Sequence, residues 1–119
     1  MSYTTFAYSD MEVSYKDGNL YCNVKVTNTG TVDGEEVLTL YASKPQRKGA
    51  EKPVKELVAF EKIHLNAGET AQVSFVVSDE DLAYWNEAKH AFEVEKGVYT
   101  LAFYDRENKC AVKTNLVIE

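Results

Sequence analysis

Hydrophobic and polar residues alternate with a period of two along several stretches of the chain. In the clearest stretch, the positions predicted to face inward are Leu20, Cys22, Val24 and Val26. The alternation recurs in segments 73–77, 99–103 and 110–118, and two further strands are predicted in segments 36–42 and 54–65, the second interrupted. Such alternation is typical of half-buried antiparallel strands. With turn signals about every ten residues, it predicts an all-β sandwich of seven to eight antiparallel strands.

Short turns and one helix are predicted between these strands. Glycine occurs in four turns, where it is expected to adopt a positive φ: residues 17–19, 28–30, 67–69 and 96–97. Ser78 precedes three acidic residues, so it can serve as the N-cap of a helix with an acidic first turn. One short helix is therefore predicted near 79–85, where it would include Tyr84 and Trp85.

Length and charge exclude several classes of function. A chain of 119 residues suits one domain, expected to cover residues 1–119, and is too short for a (β/α)₈ barrel of roughly 250 residues. Thirteen Lys and Arg against nineteen Asp and Glu give a net charge of −6, which argues against nucleic acid as a partner. No apolar run approaches the ~20 residues of a membrane span, so no membrane partner is predicted.

The two cysteines and the first residues bear on the expected compartment. Cys22 and Cys110 both lie on the apolar side of an alternating segment, so both are predicted to be buried, reduced thiols. Residues 1–5 are polar and lack the charged start and apolar core of a signal peptide. Because neither a leader nor a disulfide framework is evident, a cytoplasmic setting is expected.

Candidate catalytic and ligand-binding groups are few. Glycoside hydrolysis needs two facing carboxylates, and the acidic clusters are residues 35–36, residues 79–81, and Glu93 with Glu95. The first flanks a turn, the second suits a helix start and the third faces water by alternation, so all are predicted to be solvated. His64 and His90 lack neighbours with ligand spacing. The sequence therefore predicts no catalytic residue, no metal site and no cofactor in this chain.

The aromatic residues allow two interpretations. Eight Tyr, five Phe and one Trp are many for this length, and those outside the clearest strands include Tyr3, Phe6, Tyr84 and Trp85. Such rings can cap the core or dock onto another domain, and exposed rings can also stack on carbohydrate. A basic segment, residues 44–52, contrasts with the acidic remainder of the chain. It could reach an acidic rim of a neighbouring active site.

Several short motifs follow one another across residues 2–118: Ser2–Phe6, Val26–Gly30, Gly34–Val37, Pro53–Leu57, Asp81–Trp85 and Glu95–Tyr99. Their order resembles the fibronectin type III-like domain of glycoside hydrolase family 3 enzymes, the β-glucosidases and β-xylosidases. Single motifs are weak signals, whereas the ordered set is specific. The resemblance implies a fibronectin type III or immunoglobulin-like β-sandwich.

Residues of these motifs have expected roles in specifying the fold. The positions expected to form turns or begin strands are Asn28, Gly30, Gly34, Gly68 and Gly97. Tyr99 follows the last of these turns and is expected to donate its hydroxyl to a neighbouring loop, as a tyrosine corner does.

The resemblance also implies a function. In that family the nucleophilic Asp lies in a barrel domain and the acid/base residue usually lies in an α/β sandwich domain, and neither domain is contained in these residues. The chain is therefore expected to be a non-catalytic domain excised from a longer glycosidase, with the catalytic domains as its intramolecular partners. A carbohydrate-binding module that uses exposed Tyr and Trp is the alternative, and a small stand-alone hydrolase is a third hypothesis.

Overall fold

The computed structural model describes residues 4–44 and 55–119. Within these residues the strands and the helix are β1 Phe6–Lys16, β2 Asn19–Asn28, β3 Gly34–Ser43, β4 Lys55–Leu65, β5 Thr70–Ser78, α1 Asp79–Leu82, β6 Tyr84–Asn86, β7 Ala91–Glu93, β8 Gly97–Tyr104 and β9 Cys110–Ile118. Seven strands form two antiparallel sheets, ordered β1-β2-β5 and β4-β3-β8-β9. The predicted all-β sandwich is confirmed. The strand number exceeds the prediction because β6 and β7 form a separate hairpin.

The core lies between the two sheets, where their inward-facing side chains meet. The alternation predicted for β2 is confirmed, since its fully buried apolar residues are Leu20, Cys22, Val24 and Val26. The Phe103 ring centroid lies 5.4 Å from that of Phe75 and 6.0 Å from that of Tyr8, so aromatic contacts join the sheets. Removal of this apolar surface from water is the main favourable contribution to folding.

Three strands contain an additional residue that interrupts their pairing, and all three are edge strands. In β1 the register shifts between Ser9 and Glu12, and Asp10 has a positive φ of 50°. In β4 the additional residue is Val58, and in β9 it is Ala111. These β-bulges change which side of the strand each later side chain faces.

The bulge in β1 explains why a strict period of two does not predict this strand. Before the bulge the residues packed against the core are Phe6 and Tyr8, and after it they are Met11, Val13 and Tyr15. The inward positions thus change from even to odd numbers within one strand. A strand search that assumes constant alternation misses such a change.

A short helix is present as predicted, but it ends at Leu82 rather than near residue 85. Ser78 occupies the N-cap position with extended backbone, yet its side chain does not cap the helix; its hydroxyl donates to Asp81 Oδ2 at 3.4 Å. Asp79 is held by the β1–β2 hairpin instead, since its N–H donates to the Gly18 carbonyl at 3.0 Å. Tyr84 and the residues after it therefore form β6.

The prediction of a buried thiol is confirmed for Cys22 and is wrong for Cys110, which is exposed. Cys110 begins β9, directly after the β8–β9 turn, and pairs with Tyr104 across the bulge at Ala111. Inward-facing Ile118, at the other end of the strand, is buried. The Tyr104 ring contacts Tyr41 on the outer side of this sheet, so the additional residue Ala111 places Cys110, the partner of Tyr104, on the outer side as well.

We expect one thiol per chain to react rapidly with dithiobis(nitrobenzoate) under native conditions, and two after unfolding in guanidinium chloride. Cys110 is exposed, whereas burial raises the pKa of the Cys22 thiol to about 12 and so suppresses its reactive thiolate. Absorbance of the released thiolate measures both phases. The rapid phase should be absent from a Cys110→Ser variant, and its persistence there would show that Cys22 is accessible.

Candidate functional site

The side chain of Asn28 links three segments at one end of the sandwich. Its amide nitrogen donates to the carbonyl oxygens of Val32 at 2.9 Å and Leu65 at 3.0 Å. Its amide oxygen accepts from the Gly30 N–H at 3.0 Å and from the Thr4 hydroxyl at 2.5 Å. Asn28 is fully buried, so these bonds replace the water that its amide would otherwise bind.

The expected glycine positions differ in why they require glycine. A positive φ was expected at Gly30, and that is wrong: a Cβ there would lie 1.9 Å from Thr4 Oγ1, so close approach is the reason. Gly68 has a φ of 79° and open space around it, so backbone conformation is the reason there. Gly34 begins β3 and is buried, and Gly97 begins β8 with a φ of 137°.

Tyr99 is nearly completely buried in β8, and its hydroxyl donates to the Glu95 carbonyl oxygen at 2.6 Å. This bond connects the strand to the segment that leads out of β7, as the hydroxyl of a tyrosine corner does. Burial raises the pKa of the Tyr99 phenol to about 12. In Tyr15 the hydrogen bond to Asp79 Oδ1 raises the phenol pKa to about 12.

We expect the chain to lose stability as the pH rises from about 10 to about 12. The pKa values of Tyr15 and Tyr99 are raised above their ordinary value of 10.0 in the folded chain. The protonated phenols therefore stabilise the fold fully below pH 10, and this contribution is lost as the pH approaches the folded values. Circular dichroism and tyrosinate absorbance, recorded together, measure the effect. Ionisation of all tyrosines near pH 10, with a circular dichroism spectrum that stays that of the folded chain, would contradict this prediction.

Glu36 faces inward from β3 and is only 3% exposed. Arg106, in the β8–β9 turn, donates from Nε to Glu36 Oε1 at 3.2 Å, and the Tyr8 hydroxyl donates to Oε2 at 3.2 Å. The Arg106 guanidinium also donates to the Glu35 carbonyl oxygen. The prediction that residues 35–36 are both solvated is therefore wrong for Glu36. The reason is that Glu36 lies on the same side of β3 as the buried residues Leu38 and Leu40, which follow it at intervals of two.

The β6–β7 hairpin is organised around the carboxylate of Glu93. The Tyr84 hydroxyl donates to Glu93 Oε2 at 3.2 Å, and the Asn86 amide donates to the same oxygen at 3.1 Å. Lys89 Nζ lies 2.8 Å from Oε1. Hydrogen bonds from Lys89 and Asn86 lower the pKa of Glu93. Glu93 is accessible to solvent, as predicted, and its carboxylate also connects both strands and the turn between them.

The opposite side of the hairpin presents aromatic rings to solvent. Trp85 pairs with Phe92 across the two strands, and their ring centroids lie 5.1 Å apart at an interplanar angle of 71°. Trp85 is 44% exposed and Phe92 is 71% exposed. His90 adds a third ring, 6.3 Å from Trp85. One side of the hairpin thus carries a solvent-exposed aromatic pair in edge-to-face contact, and the other side carries the hydrogen bonds of Glu93.

The remaining predicted contact residues have different surroundings. Phe6 is half-buried and packs against the core, which favours the core-capping interpretation of this ring. Tyr3 and residues 45–54 lie outside the described residues, so contacts by Tyr3 and by most of the basic segment stay predictions. Lys44, the first residue of that segment, donates from Nζ to the Ala83 carbonyl at 3.3 Å and pairs with Glu56 at 3.4 Å.

The outer faces of the two sheets differ in polarity, a difference that the alternation pattern did not predict. The outward residues of β3 and β4 include an apolar group, here named the β3–β4 patch, formed by Val37, Leu57 and Phe60. Outward residues of the three-stranded sheet are mostly polar, and its exposed large apolar residues are Tyr21 and Val76. The missed signal was the apolar side chains Val37 and Tyr41 at outward positions of β3, beside Leu57 and Phe60 of β4.

Other classes of site find little support in the described part of the chain. Residues 4–44 and 55–119 contain no group of three or more His, Cys, Asp or Glu placed to hold a metal ion. His64 faces outward, as predicted, and its Nε2 lies 3.0 Å from Asp33 Oδ2. No helix among these residues has the length and apolar character needed to cross a membrane.

Comparison with known proteins identifies the family. Residues 36–112 match the model of the fibronectin type III-like domain, which is more than half of the chain. The chain belongs to the fibronectin type III-like domain family. Thermostable beta-glucosidase B of Acetivibrio thermocellus is 37% identical to this fibronectin type III-like chain over 105 residues, covering 85% of the chain and 14% of the enzyme.

Solved structures of β-glucosidases contain the same fold. The GH3 beta-glucosidase of Bifidobacterium adolescentis matches with a TM-score of 0.87 and 30% identity, over 99% of this chain and 18% of that one. Beta-glucosidase 3B from Thermotoga neapolitana, solved with α-D-glucose, matches with a TM-score of 0.83 and 36% identity. The match covers 98% of this chain and 16% of that one. The predicted resemblance is confirmed, and this fibronectin type III-like chain spans a small fraction of each relative. These matches lend no support to the carbohydrate-binding alternative.

Proposed function

We propose that the chain is a non-catalytic accessory domain of a longer family 3 β-glycosidase, in which it packs onto the catalytic part and stabilises it. The observation that carries this proposal is the unequal extent of the matches. Thermostable beta-glucosidase B aligns with 85% of this chain but uses only 14% of its own length to do so. The rest of such a polypeptide is long enough to contain the catalytic domains that the family resemblance implies.

The surroundings of the inward and hairpin carboxylates support a non-catalytic role. A glycosidase needs a carboxylic acid and a carboxylate that face one substrate, about 5–10 Å apart. Glu36 is buried and bonded to Arg106 and Tyr8. Glu93 is bonded to Lys89 and to residues of its own hairpin. Both carboxylates therefore serve the fold rather than a substrate.

A domain replacement tests the proposal. The matched region of thermostable beta-glucosidase B is replaced by this chain, and a second variant of the enzyme has the region deleted. We expect the chimera to hydrolyse nitrophenyl β-glucoside and to resist heat inactivation better than the deletion variant. The isolated chain should show no turnover above buffer. A chimera no better than the deletion variant would contradict the accessory role, and turnover by the isolated chain would contradict its non-catalytic character.

Titration with sugars separates docking from carbohydrate binding. Trp85 is the sole tryptophan of the chain and is 44% exposed, so its fluorescence reports contact at the hairpin. We expect glucose, cellobiose and soluble xylan to leave this fluorescence unchanged, because the neighbouring Phe92 ring is turned by 71° and the pair offers no broad flat platform. A saturable shift that is lost in a Phe92→Ala variant would favour the carbohydrate-binding alternative.

A further inference from the structure

Leu57 and Phe60 face the same side of β4 although they are three positions apart. In a regular strand an odd separation places two side chains on opposite faces. The additional residue Val58 reverses this, so that Leu57 pairs with Tyr41 and Phe60 pairs with Thr39, both on the outer side of β3. The β4 bulge thus holds two large apolar side chains, 50% and 68% exposed, in water.

The charges around the β3–β4 patch are mainly basic. Lys55 and Lys62 flank the patch along β4, and Lys113 faces the same outer side from β9. Glu35 also faces this side, and its carboxylate pairs with Lys62 at 3.0 Å. The face is therefore net basic on a chain whose net charge is −6. An apolar centre with a basic rim is complementary to an apolar surface with acidic residues around it.

We propose that the β3–β4 patch docks onto an apolar surface with an acidic rim on the catalytic part of the longer polypeptide. This inference rests on the proposed function and adds which face docks and what chemistry receives it. A second copy of this chain is a poorer occupant, because a two-fold symmetric contact centred on this face would bring the lysines that flank the patch in one copy towards those of the other. In this arrangement the outer face of the three-stranded sheet, which is mostly polar, faces solvent.

Matched double variants in the chimera test the docking face. Leu57→Thr with Phe60→Thr removes the apolar surface of the patch and keeps residues that suit strands. Tyr21→Thr with Val76→Thr is the control, because these two residues are exposed, pair with each other and lie on the outer face of the other sheet. We expect the patch variant to shorten the half-life of chimera activity at elevated temperature about tenfold, and the control to change it by less than about twofold.

The isolated chain carrying the same substitutions supplies the folding control. Because all four side chains are exposed there, neither pair should shift its Tm by more than about 3 °C. Sedimentation of the isolated wild-type chain should give a monomer. A dimer that the patch variant disperses, with chimera activity unaffected, would assign the face to a second copy and overturn the proposal.

The remaining outcomes separate this inference from the proposed function. If the wild-type chimera surpasses the deletion variant but both double variants inactivate at its rate, the docking face is wrong while the accessory role stands. If the wild-type chimera behaves like the deletion variant although the isolated chain is folded, the accessory role itself fails. If only the variant with Tyr21→Thr and Val76→Thr shortens the half-life of chimera activity, the docking surface lies on the three-stranded sheet instead.

Discussion

Replacement of Asn28 by alanine is expected to lower the free energy of unfolding by about 3 kcal/mol. The substitution removes four hydrogen bonds and leaves the carbonyls of Val32 and Leu65 and the N–H of Gly30 without this partner. An unsatisfied buried polar group costs about 1–3 kcal/mol, and Val32 lies near enough to solvent for water to offset part of the loss. Urea unfolding followed by circular dichroism measures the difference.

Asn23→Ala in the same strand is the matched control for this prediction. Asn23 faces the outer side of β2, half-buried, and its side chain makes no hydrogen bond within the described part of the chain. We expect its removal to change the stability by less than about 0.5 kcal/mol. Equal effects of the two substitutions would show that Asn28 is dispensable at this end of the sandwich.

Arg106→Ala is expected to destabilise the chain by about 2 kcal/mol. Glu36 is 3% exposed, and without Arg106 the Tyr8 hydroxyl is the one hydrogen-bond donor to its carboxylate among residues 4–44 and 55–119. Removing one partner of a buried ion pair leaves an uncompensated charge in the protein, and the half-exposed position of Arg106 admits some water to reduce the cost. Thermal and urea unfolding measure the loss.

Two further variants establish the cause of that loss. If the unpaired charge is responsible, adding Glu36→Gln to Arg106→Ala should restore part of the stability, because the amide is neutral. Lys109→Ala removes an ion pair with Glu107 in the same turn, and both of these side chains are exposed. We expect almost no effect from it. A double variant less stable than Arg106→Ala alone would refute the ion-pair explanation.

The sequence predicted the fold well where alternation is regular. β2 alternates without interruption, and its inward residues were identified correctly. The inward residues Tyr99, Leu101 and Phe103 of β8 were also identified correctly, although Ala102 between the last two is buried as well. Prediction failed where the chain departs from the period of two, as at Asp10 in β1. A single additional residue reverses the two faces of a strand, and such a bulge has no residue type that reveals it reliably. The helix ended early because tertiary hydrogen bonds hold Asp79 and β6 pairs with β7.

The candidate surfaces were less predictable than the fold. Trp85 was singled out as an exposed aromatic, but its pairing with Phe92 depends on a hairpin of two three-residue strands. The buried position of Glu36 follows from alternation with Leu38 and Leu40, but a carboxylate beside a turn was predicted to be solvated because its partner Arg106 is distant in the sequence. Contacts between distant parts of the chain, such as Glu36 with Arg106, leave no local pattern in the sequence.

The bulges in β1, β4 and β9 also bear on how crowded copies of the chain would associate. A regular edge strand offers a row of N–H and C=O groups to a strand from another molecule, which is how fibrils begin to grow. An additional residue breaks that row, so three of the four edge strands of the two main sheets pair poorly with a strand from another molecule. β5 is the fourth edge, and it runs from Thr70 to Ser78 without a register shift. Intermolecular strand addition is therefore directed to β5, and a lysine on its outer side would be the simplest protection.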